Sequence, residues 1–250
     1  MPAIDSNIII IIVVTFLIAG LVKGIIGLGL PTISLAILVA SFELTTAMAL
    51  LIMPSLVTNI WQAAVGGNLL YLLKRLWPFL LTASLTICIG ALALSVVDPN
   101  RLSMLLGALL ITYALMSLSG FRLRVKPVFE PWAGSICGLI NGLFTGMTGA
   151  FVFPGIMYLQ SQGFDRHQLV QAMGILFTLS TLLLGVALQS NNLLSVQTGS
   201  LSILAVIPAL TGMWVGQTIR RRLSEQRFRL VFYYAVLLLG IYIVAQSYAV

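Results

Sequence analysis

Residues 19–31 read AGLVKGIIGLGLP, so four glycines, a lysine and a proline interrupt a long apolar run. Glycine costs about 1 kcal/mol and proline about 3 kcal/mol inside a helix, so a continuous membrane helix disfavours this composition. Backbone that a break frees inside a bilayer must bond to protein or to water in a cavity. A lysine at the same depth is a candidate functional residue. The stretch therefore predicts a broken helix with Lys23 at a polar site.

A second stretch has the same character. Residues 137–149 read CGLINGLFTGMTG, and a further proline, Pro154, follows. The segment Gly20–Gly24, which contains Lys23, aligns with Gly138–Gly142, which contains Asn141. The chain is thus predicted to consist of two repeated halves, each built around one broken helix pair.

Composition places the chain in a membrane. Of its 250 residues, 60% are hydrophobic and 8% are charged, whereas soluble domains carry about 25% charged residues. The net charge of +7 comes from bases that cluster in short loops, as the positive-inside rule requires, so we expect no nucleic-acid binding. The segment Met1–Asn7 holds an acid and no base. We therefore expect the first apolar run to stay in the protein rather than to be cleaved as a signal peptide.

The predicted fold class is all-α and polytopic, with two inverted-topology repeats. Each repeat is a broken, re-entrant-like helix hairpin followed by three transmembrane helices, an architecture of many secondary transporters. The repeats cover residues 1–120 and 132–250, and a polar cytoplasmic connector at 121–131 joins them. The predicted apolar segments are Ile8–Val22 with Pro31–Ala40, Thr45–Val65, Leu76–Val97, Leu102–Ser119, Trp132–Tyr158, Leu169–Gln189, Leu194–Ile219 and Leu230–Gln246.

Basic residues set the predicted orientation. If the Arg220–Arg229 loop is cytoplasmic and both broken pairs are hairpins, eleven of the thirteen bases lie inside. The two halves then enter the bilayer from opposite faces, and the N- and C-termini are both outside. We therefore predict a multi-pass protein of the inner (cell) membrane with periplasmic termini.

The broken segments also predict an anion site. A helix that begins in mid-membrane offers free N–H groups and the positive end of its dipole, and both favour oxyanions. Glycines let the backbone approach a ligand, a lysine adds a full charge, and amides and hydroxyls add donors. The predicted substrate-binding residues are Lys23, Gly24, Gly27, Gly29, Asn59, Asn141, Gly142, Thr145, Gly146, Thr148, Gly149, Thr178 and Thr181.

These residues also have structural interpretations. Glycines in membrane helices serve close packing, and Lys23 can extend its ammonium to an interface. Thr178 and Thr181 can bond the backbone of their own helix. We interpret His167 as a surface residue, and the Arg220–Arg229 cluster as a topology signal that contacts lipid headgroups.

The glycine-rich hairpins resemble those of the sulfite exporter family, also called TauE/SafE or toluene sulfonate uptake permease. The resemblance covers nearly the whole chain. It rests on Gly20–Pro31 and Gly138–Pro154, on the helix starts Ala47-Met48 and Ala172-Met173, and on the Arg220–Arg229 loop. It implies transport of sulfite, sulfonates or related small anions.

Together these features predict a secondary transporter that moves a small anion across the inner membrane by alternating access. The anion would be sulfite, an organosulfonate, or a related oxyanion or organic acid, bound at broken helix tips near the midplane. An anion channel and a non-transporting membrane scaffold are the alternatives. We expect no enzymatic activity, no metal and no other cofactor. The expected partners are the anion and membrane lipid, with proton coupling and oligomerisation left open.

Overall fold

The computed structural model describes residues 6–121, 123–220 and 224–249. Arg122, Arg221 and Arg222, which contribute to the predicted orientation, lie outside these residues. The described residues form twelve α-helices and a 3-10 turn at Pro127–Phe129, and they contain no strand. The helices are α1 (Ser6–Ile26), α2 (Leu30–Val39), α3 (Leu44–Ala64), α4 (Leu69–Ala91), α5 (Ala93–Val96), α6 (Pro99–Leu118), α7 (Glu130–Thr148), α8 (Gly155–Ser161), α9 (Arg166–Ser190), α10 (Val196–Leu204), α11 (Val206–Arg220) and α12 (Glu225–Ala249).

The fold is a bundle of membrane-length helices. Large apolar side chains, among them Leu85, Ile136, Val186 and Leu238, are exposed on its outside, as a lipid-facing surface requires. The predicted all-α polytopic class is confirmed. Seven segments within the described residues are long and apolar enough to cross a membrane: Ser6–Ile26, Leu44–Ala64, Leu69–Val96, Pro99–Leu118, Arg166–Ser190, Val196–Arg220 and Gln226–Tyr248.

The first break is shorter than the sequence predicts. Helix α1 continues through Gly20, Lys23 and Gly24 to Ile26, so the predicted end of this arm at Val22 is wrong. Both glycines stay helical because α11 packs directly on them, and a Cβ atom on either would clash with a carbonyl oxygen of α11. The interruption covers residues 27–29, whose two glycines have φ values of 78° and 104°. These left-handed values favour glycine.

The second break lies later in the chain than predicted. Helix α7 runs without interruption through Gly138, Gly142 and Gly146 to Thr148. A Cβ atom on each of these glycines would clash with a backbone carbonyl oxygen of α4. They therefore remain in the helix and serve close packing. The chain leaves the helix at Gly149, whose φ is 73°, and residues 149–154 separate α7 from α8.

Further helix boundaries differ from the predicted ones. Helix α12 begins at Glu225 rather than at Leu230, and so Arg227 and Arg229 of the predicted Arg220–Arg229 loop are helical. Helix α4 begins at Leu69, and so Lys74 and Arg75, which were predicted to lie in a loop, are helical. The predicted span at 194–219 is divided into α10 and α11. This division lies just before Pro208, which has no N–H to continue the hydrogen-bond ladder from α10.

Four helix pairs provide most of the packing, and each joins the first half of the chain to the second. Helix α1 packs on α11, α7 on α4, α3 on α9, and α6 on α12. Exchanging the two halves converts the first pair into the second and leaves the other two pairs unchanged. This pattern supports two related repeats. Their inverted orientation and their boundaries with the connector stay predictions.

Arg75 on α4 contacts both ends of the second hairpin, at the beginning of α7 and after the end of α8. Arg75 on α4 forms an ion pair with Glu130, with 3.1 Å between Nη2 and Oε1. It also donates a hydrogen bond to the carbonyl oxygen of Gln162 at 3.1 Å. Its guanidinium carbon lies 4.9 Å from the ring centre of Phe164. The second hairpin is thus anchored to α4 at both of its outer ends.

The glycine packing leads to a stability prediction. Gly142→Ala places a methyl group against the carbonyl oxygen of Ala83 and forces α4 and α7 apart. We expect this to lower the free energy of unfolding by about 1–3 kcal/mol, measured as a lower unfolding temperature in detergent.

Gly199→Ala is the matched control. Gly199 lies in α10 with open space around it, so alanine there should raise stability by up to about 1 kcal/mol. Equal unfolding temperatures for the two variants would contradict the close approach of α4 and α7.

Candidate functional site

Lys23 is the centre of the candidate site. It lies in the last turn of α1, and 4% of its surface is exposed. Its ammonium donates hydrogen bonds to Thr58 Oγ1 at 3.1 Å and to Asn59 Oδ1. Both acceptors lie on the buried face of α3. A buried ammonium needs such partners because it has lost its hydration.

Two buried polar atoms of α3, on the helix face that contacts this lysine, have no hydrogen-bond partner among the described residues. An ammonium is only a donor, so the Asn59 carbonyl oxygen must face it and the Nδ2 group points elsewhere. Asn59 Nδ2 is buried and has no hydrogen-bond partner among the described residues. The same is true of Ser55 Oγ, one helical turn away on α3. Buried donors of this kind are normally satisfied, so this part of the molecule is suited to a ligand or to ordered water.

The break between α1 and α2 is held by one glutamine. Gln62 Nε2 donates hydrogen bonds to the carbonyl oxygen of Gly27 at 2.9 Å and to that of Val170 at 2.7 Å. The same side chain therefore fixes α3, the break and α9 relative to one another. Gly29 faces apolar groups, because a Cβ atom built on it would contact Phe232.

A cavity of about 210 Å³ extends from Lys23 to the surface. One water needs about 10–15 Å³ of such space, so the cavity is large enough for a small hydrated anion. Lys23 lies at its buried end, and the exposed His167 lies at the beginning of α9. The lining residues are Lys23, Gly24, Gly27, Thr58, Trp61, Gln62, Val65, Gly66, His167, Val170, Met213, Gln217 and Arg220.

The structure brings together some of the predicted site residues of the first half. Lys23, Gly24 and Gly27 line the cavity, and Asn59 bonds to the lysine. The predicted site residues do not include the other lining residues, among them Thr58, His167, Gln217 and Arg220. The spacing of Ser55, Thr58, Asn59 and Gln62 was an available signal, because positions three, four and seven apart share one helix face.

The polar residues of the second half hold the second break together. Asn141 Oδ1 accepts a hydrogen bond from the Gly155 N–H at 3.0 Å. Thr145 Oγ1 donates to the carbonyl oxygen of Ala150 at 3.0 Å. Thr148 Oγ1 accepts from the Ala150 N–H at 3.2 Å. Asn141, Thr145 and Thr148 are all fully buried, and none of them lines the cavity at Lys23.

Five other predicted residues do not line the cavity at Lys23. Gly142 and Gly146 face α4, and Gly149 lies against Met48. Thr178 donates to the carbonyl oxygen of Gly174 at 2.7 Å, and Thr181 to that of Phe177 at 2.6 Å. The two threonine hydroxyls thus bond within α9. A contact of these five residues with an anion stays a prediction.

The apolar bundle of membrane-length helices defines a multi-pass membrane protein, and the buried lysine with its cavity gives it a candidate internal site. A model of the sulfite exporter TauE/SafE family matches residues 12–243, and the chain belongs to this family. Family membership implies a membrane transporter of sulfur anions, and it agrees with the prediction that the chain is not an enzyme. Searches of the curated proteins and of the solved structures give no match.

The hydrogen bonds of Gln62 lead to a prediction at this site. Gln62→Leu leaves the carbonyl oxygens of Gly27 and Val170 without the donor that they share. We expect the free energy of unfolding to fall by about 1–3 kcal/mol for each unsatisfied group, measured by thermal unfolding in detergent.

Gln217→Leu is the control, because Gln217 lines the same cavity but is exposed on α11. It should unfold at about the wild-type temperature. A Gln62→Leu protein as stable as the Gln217→Leu protein would show that Gln62 does not hold the break.

Proposed function

We propose that this protein is a secondary transporter that binds a small sulfur oxyanion, such as sulfite or an organosulfonate, in the cavity at Lys23. The observation that carries the proposal is a buried ammonium at the closed end of a cavity that is lined by both apolar and basic side chains. His167 and Arg220 contribute further basic groups to the same cavity. None of the described residues that line it is a carboxylate. Its electrostatic potential therefore favours an anion.

Lys23 has the hydrogen-bonding capacity for such a ligand. An ammonium has three N–H donors, and two of them are directed to Thr58 and Asn59. The third donor is available to an oxyanion oxygen at the closed end of the cavity. Hydrogen bonds from a charged donor to an anion are roughly twice as strong as neutral ones. The unpartnered Nδ2 group of Asn59 and hydroxyl of Ser55 are fully buried and do not line the cavity, so an anion bound at Lys23 would reach them only by moving deeper along α3.

Alternating access is supported by the difference between the two halves. The cavity reaches Lys23 from the side of His167 and Arg220, which is the cytoplasmic side in the predicted orientation. Asn141, the counterpart of Lys23, does not line this cavity. The structure is therefore interpreted as an inward-open state, in a protein of the inner membrane with both termini outside.

The channel and scaffold alternatives are less well supported. A channel needs a continuous pore, whereas Ser55 and Asn59, beside the closed end of the cavity, are fully buried. A scaffold has no use for a buried lysine, which is costly to place in a membrane. Lys23 is the one charged side chain in the buried core of the described residues. If transport is coupled to protons, Lys23 is therefore the group that would carry them.

Lys23→Met tests the proposal, since methionine keeps the length of the side chain but removes the charge. Losing a hydrogen bond from a charged group should reduce transport by about 10- to 100-fold. The measurement is uptake of sulfite and sulfoacetate into proteoliposomes, with sulfate and chloride as comparison anions. Lys74→Met is the control, because Lys74 is exposed on α4.

Lys74→Met should retain the wild-type unfolding temperature. Lys23→Met leaves Asn59 Oδ1 without its donor but also removes the cost of burying a charge, so this protein should still be folded at the assay temperature. Sulfite and sulfoacetate should raise the unfolding temperature for the wild-type and Lys74→Met proteins but not for the Lys23→Met protein. Undiminished transport by a folded Lys23→Met protein would remove Lys23 from the site.

The predicted orientation has a separate test. In a protein whose two cysteines, Cys88 and Cys137, are replaced by alanine, single cysteines are introduced at Asn7 and Lys74. A membrane-impermeant thiol reagent should label position 7 from outside, and position 74 after the membrane is permeabilised. Labelling of both positions from one side would contradict the inverted repeats.

A further inference from the structure

Four buried polar groups near the centre of the protein have no hydrogen-bond partner among the described residues. They are the hydroxyl of Ser55, the Nδ2 group of Asn59, the Nδ2 group of Asn141 and the hydroxyl of Ser180. The side chains are at most 1% exposed. Buried donors are rarely left unpaired in native proteins. Four such unpaired groups in one part of the protein therefore indicate that a ligand or ordered water binds there.

Two of these groups belong to the Lys23 site. The Asn59 oxygen accepts a hydrogen bond from the Lys23 ammonium, and Ser55 lies one turn before Asn59 in α3. The unpaired donors therefore continue from the closed end of the cavity toward the middle of α3. We call Lys23, Asn59 and Ser55 the first site.

The other two groups lie in the second half of the chain. The Asn141 oxygen accepts a hydrogen bond from the Gly155 N–H. The Nδ2 group of Asn141 is a donor only and has no partner among the described residues. Asn141 and Leu176 both lie beside Gly155, because a Cβ atom built on this glycine would contact both. Ser180 follows Leu176 by one turn on the same face of α9. We call Asn141 and Ser180 the second site.

The packing of α3 on α9 brings the two sites to similar depths. Gly174 of α9 packs against Ala63 of α3, and Gly185 packs against Ile52, so the helices are antiparallel. This register places Ser55 and Ser180 within about 3 Å of the same height along the pair. Both serines lie near the middle of their helices.

The sequence relates the same groups. The alignment that brings Ala47-Met48 onto Ala172-Met173 also brings Ser55 onto Ser180. The alignment of the glycine segments brings Lys23 onto Asn141. The second site is thus the counterpart of the first, with a neutral amide in place of the ammonium.

We infer that Asn141 and Ser180 form a second binding site for the transported oxyanion, which receives it from the first site when the protein opens to the opposite face. This inference rests on the proposed function and extends it. The Asn141 Nδ2 group and the Ser180 hydroxyl donate to the oxygens of the anion. The second site holds the anion more weakly because it has no full charge, and this weaker binding favours release.

Ser180→Ala is the principal test. The substitution removes an unpartnered hydroxyl, so the unfolding temperature should not fall. Transport of sulfite into proteoliposomes should fall by about tenfold, the effect of one hydrogen bond to a charged group. The temperature rise that sulfite causes in detergent should persist, since the first site is intact.

Ser34→Ala is the matched control. Ser34 is fully buried, and its hydroxyl donates to the carbonyl oxygen of Leu30 at 2.7 Å. The Ser34→Ala protein should transport at the wild-type rate, although this substitution removes a hydrogen bond and Ser180→Ala does not.

Asn141→Asp provides a second variant. Aspartate keeps an oxygen for the Gly155 N–H but replaces the Nδ2 donor with a carboxylate oxygen that repels an anion. Transport should fall more than in the Ser180→Ala protein, and the unfolding temperature should also fall because the buried carboxylate has no cationic partner among the described residues, so transport is compared at a temperature where both variants are folded.

Two outcomes would overturn the inference, and they are distinguishable. If Ser180→Ala and Asn141→Asp transport at the wild-type rate while Lys23→Met does not transport, water alone occupies these donors and the second site does not exist. If the wild-type protein moves no anion, the proposed function fails and the second site fails with it.

Discussion

The burial of one ammonium group sets the conditions for the rest of this structure. A charge that has left water must be given partners, and Lys23 takes both of its partners from a single turn of α3. That requirement fixes the last turn of α1 against α3. Gln62, one turn farther along α3, then closes the break by bonding to its backbone and to α9. Lys23, Thr58 and Gln62 form part of the wall of the cavity at the end of α1.

Close helix packing gives the site its rigidity. In hydrocarbon, helices associate through van der Waals contact rather than through a hydrophobic driving force, so small residues at the interface decide how near two backbones approach. Gly24 on α1 meets Gly216 on α11, Gly20 lies against the backbone of Ala209, and Gly142 on α7 meets α4 in the same way. Lys23 lies on a helix that is held along one side, and the polar site is therefore positioned before a ligand arrives.

The sequence predicts the main features of the fold but not the residues at which the helix breaks begin and end. Composition predicted the all-α membrane class, and Lys23, with its glycines, predicted a buried polar site. The predicted breaks were too long because a glycine can serve either a turn or a close helix contact, and one sequence does not show that α11 and α4 cover Gly24 and Gly142. His167 and Arg220 were interpreted as surface bases because their proximity to Lys23 comes from the packing of α9 and α11 on α1 and α3. No local pattern carries that information.

The pairing of helices between the two halves has a consequence for biosynthesis. Helices α1 and α4 emerge first from the ribosome, yet the helices that cover their glycine faces, α11 and α7, are translated later. The glycine faces of α1 and α4 therefore have no partner helix until the second half is inserted. Lys23 enters the membrane before the walls of its cavity are complete. The close packing of the first half is therefore completed only when the second half has been inserted.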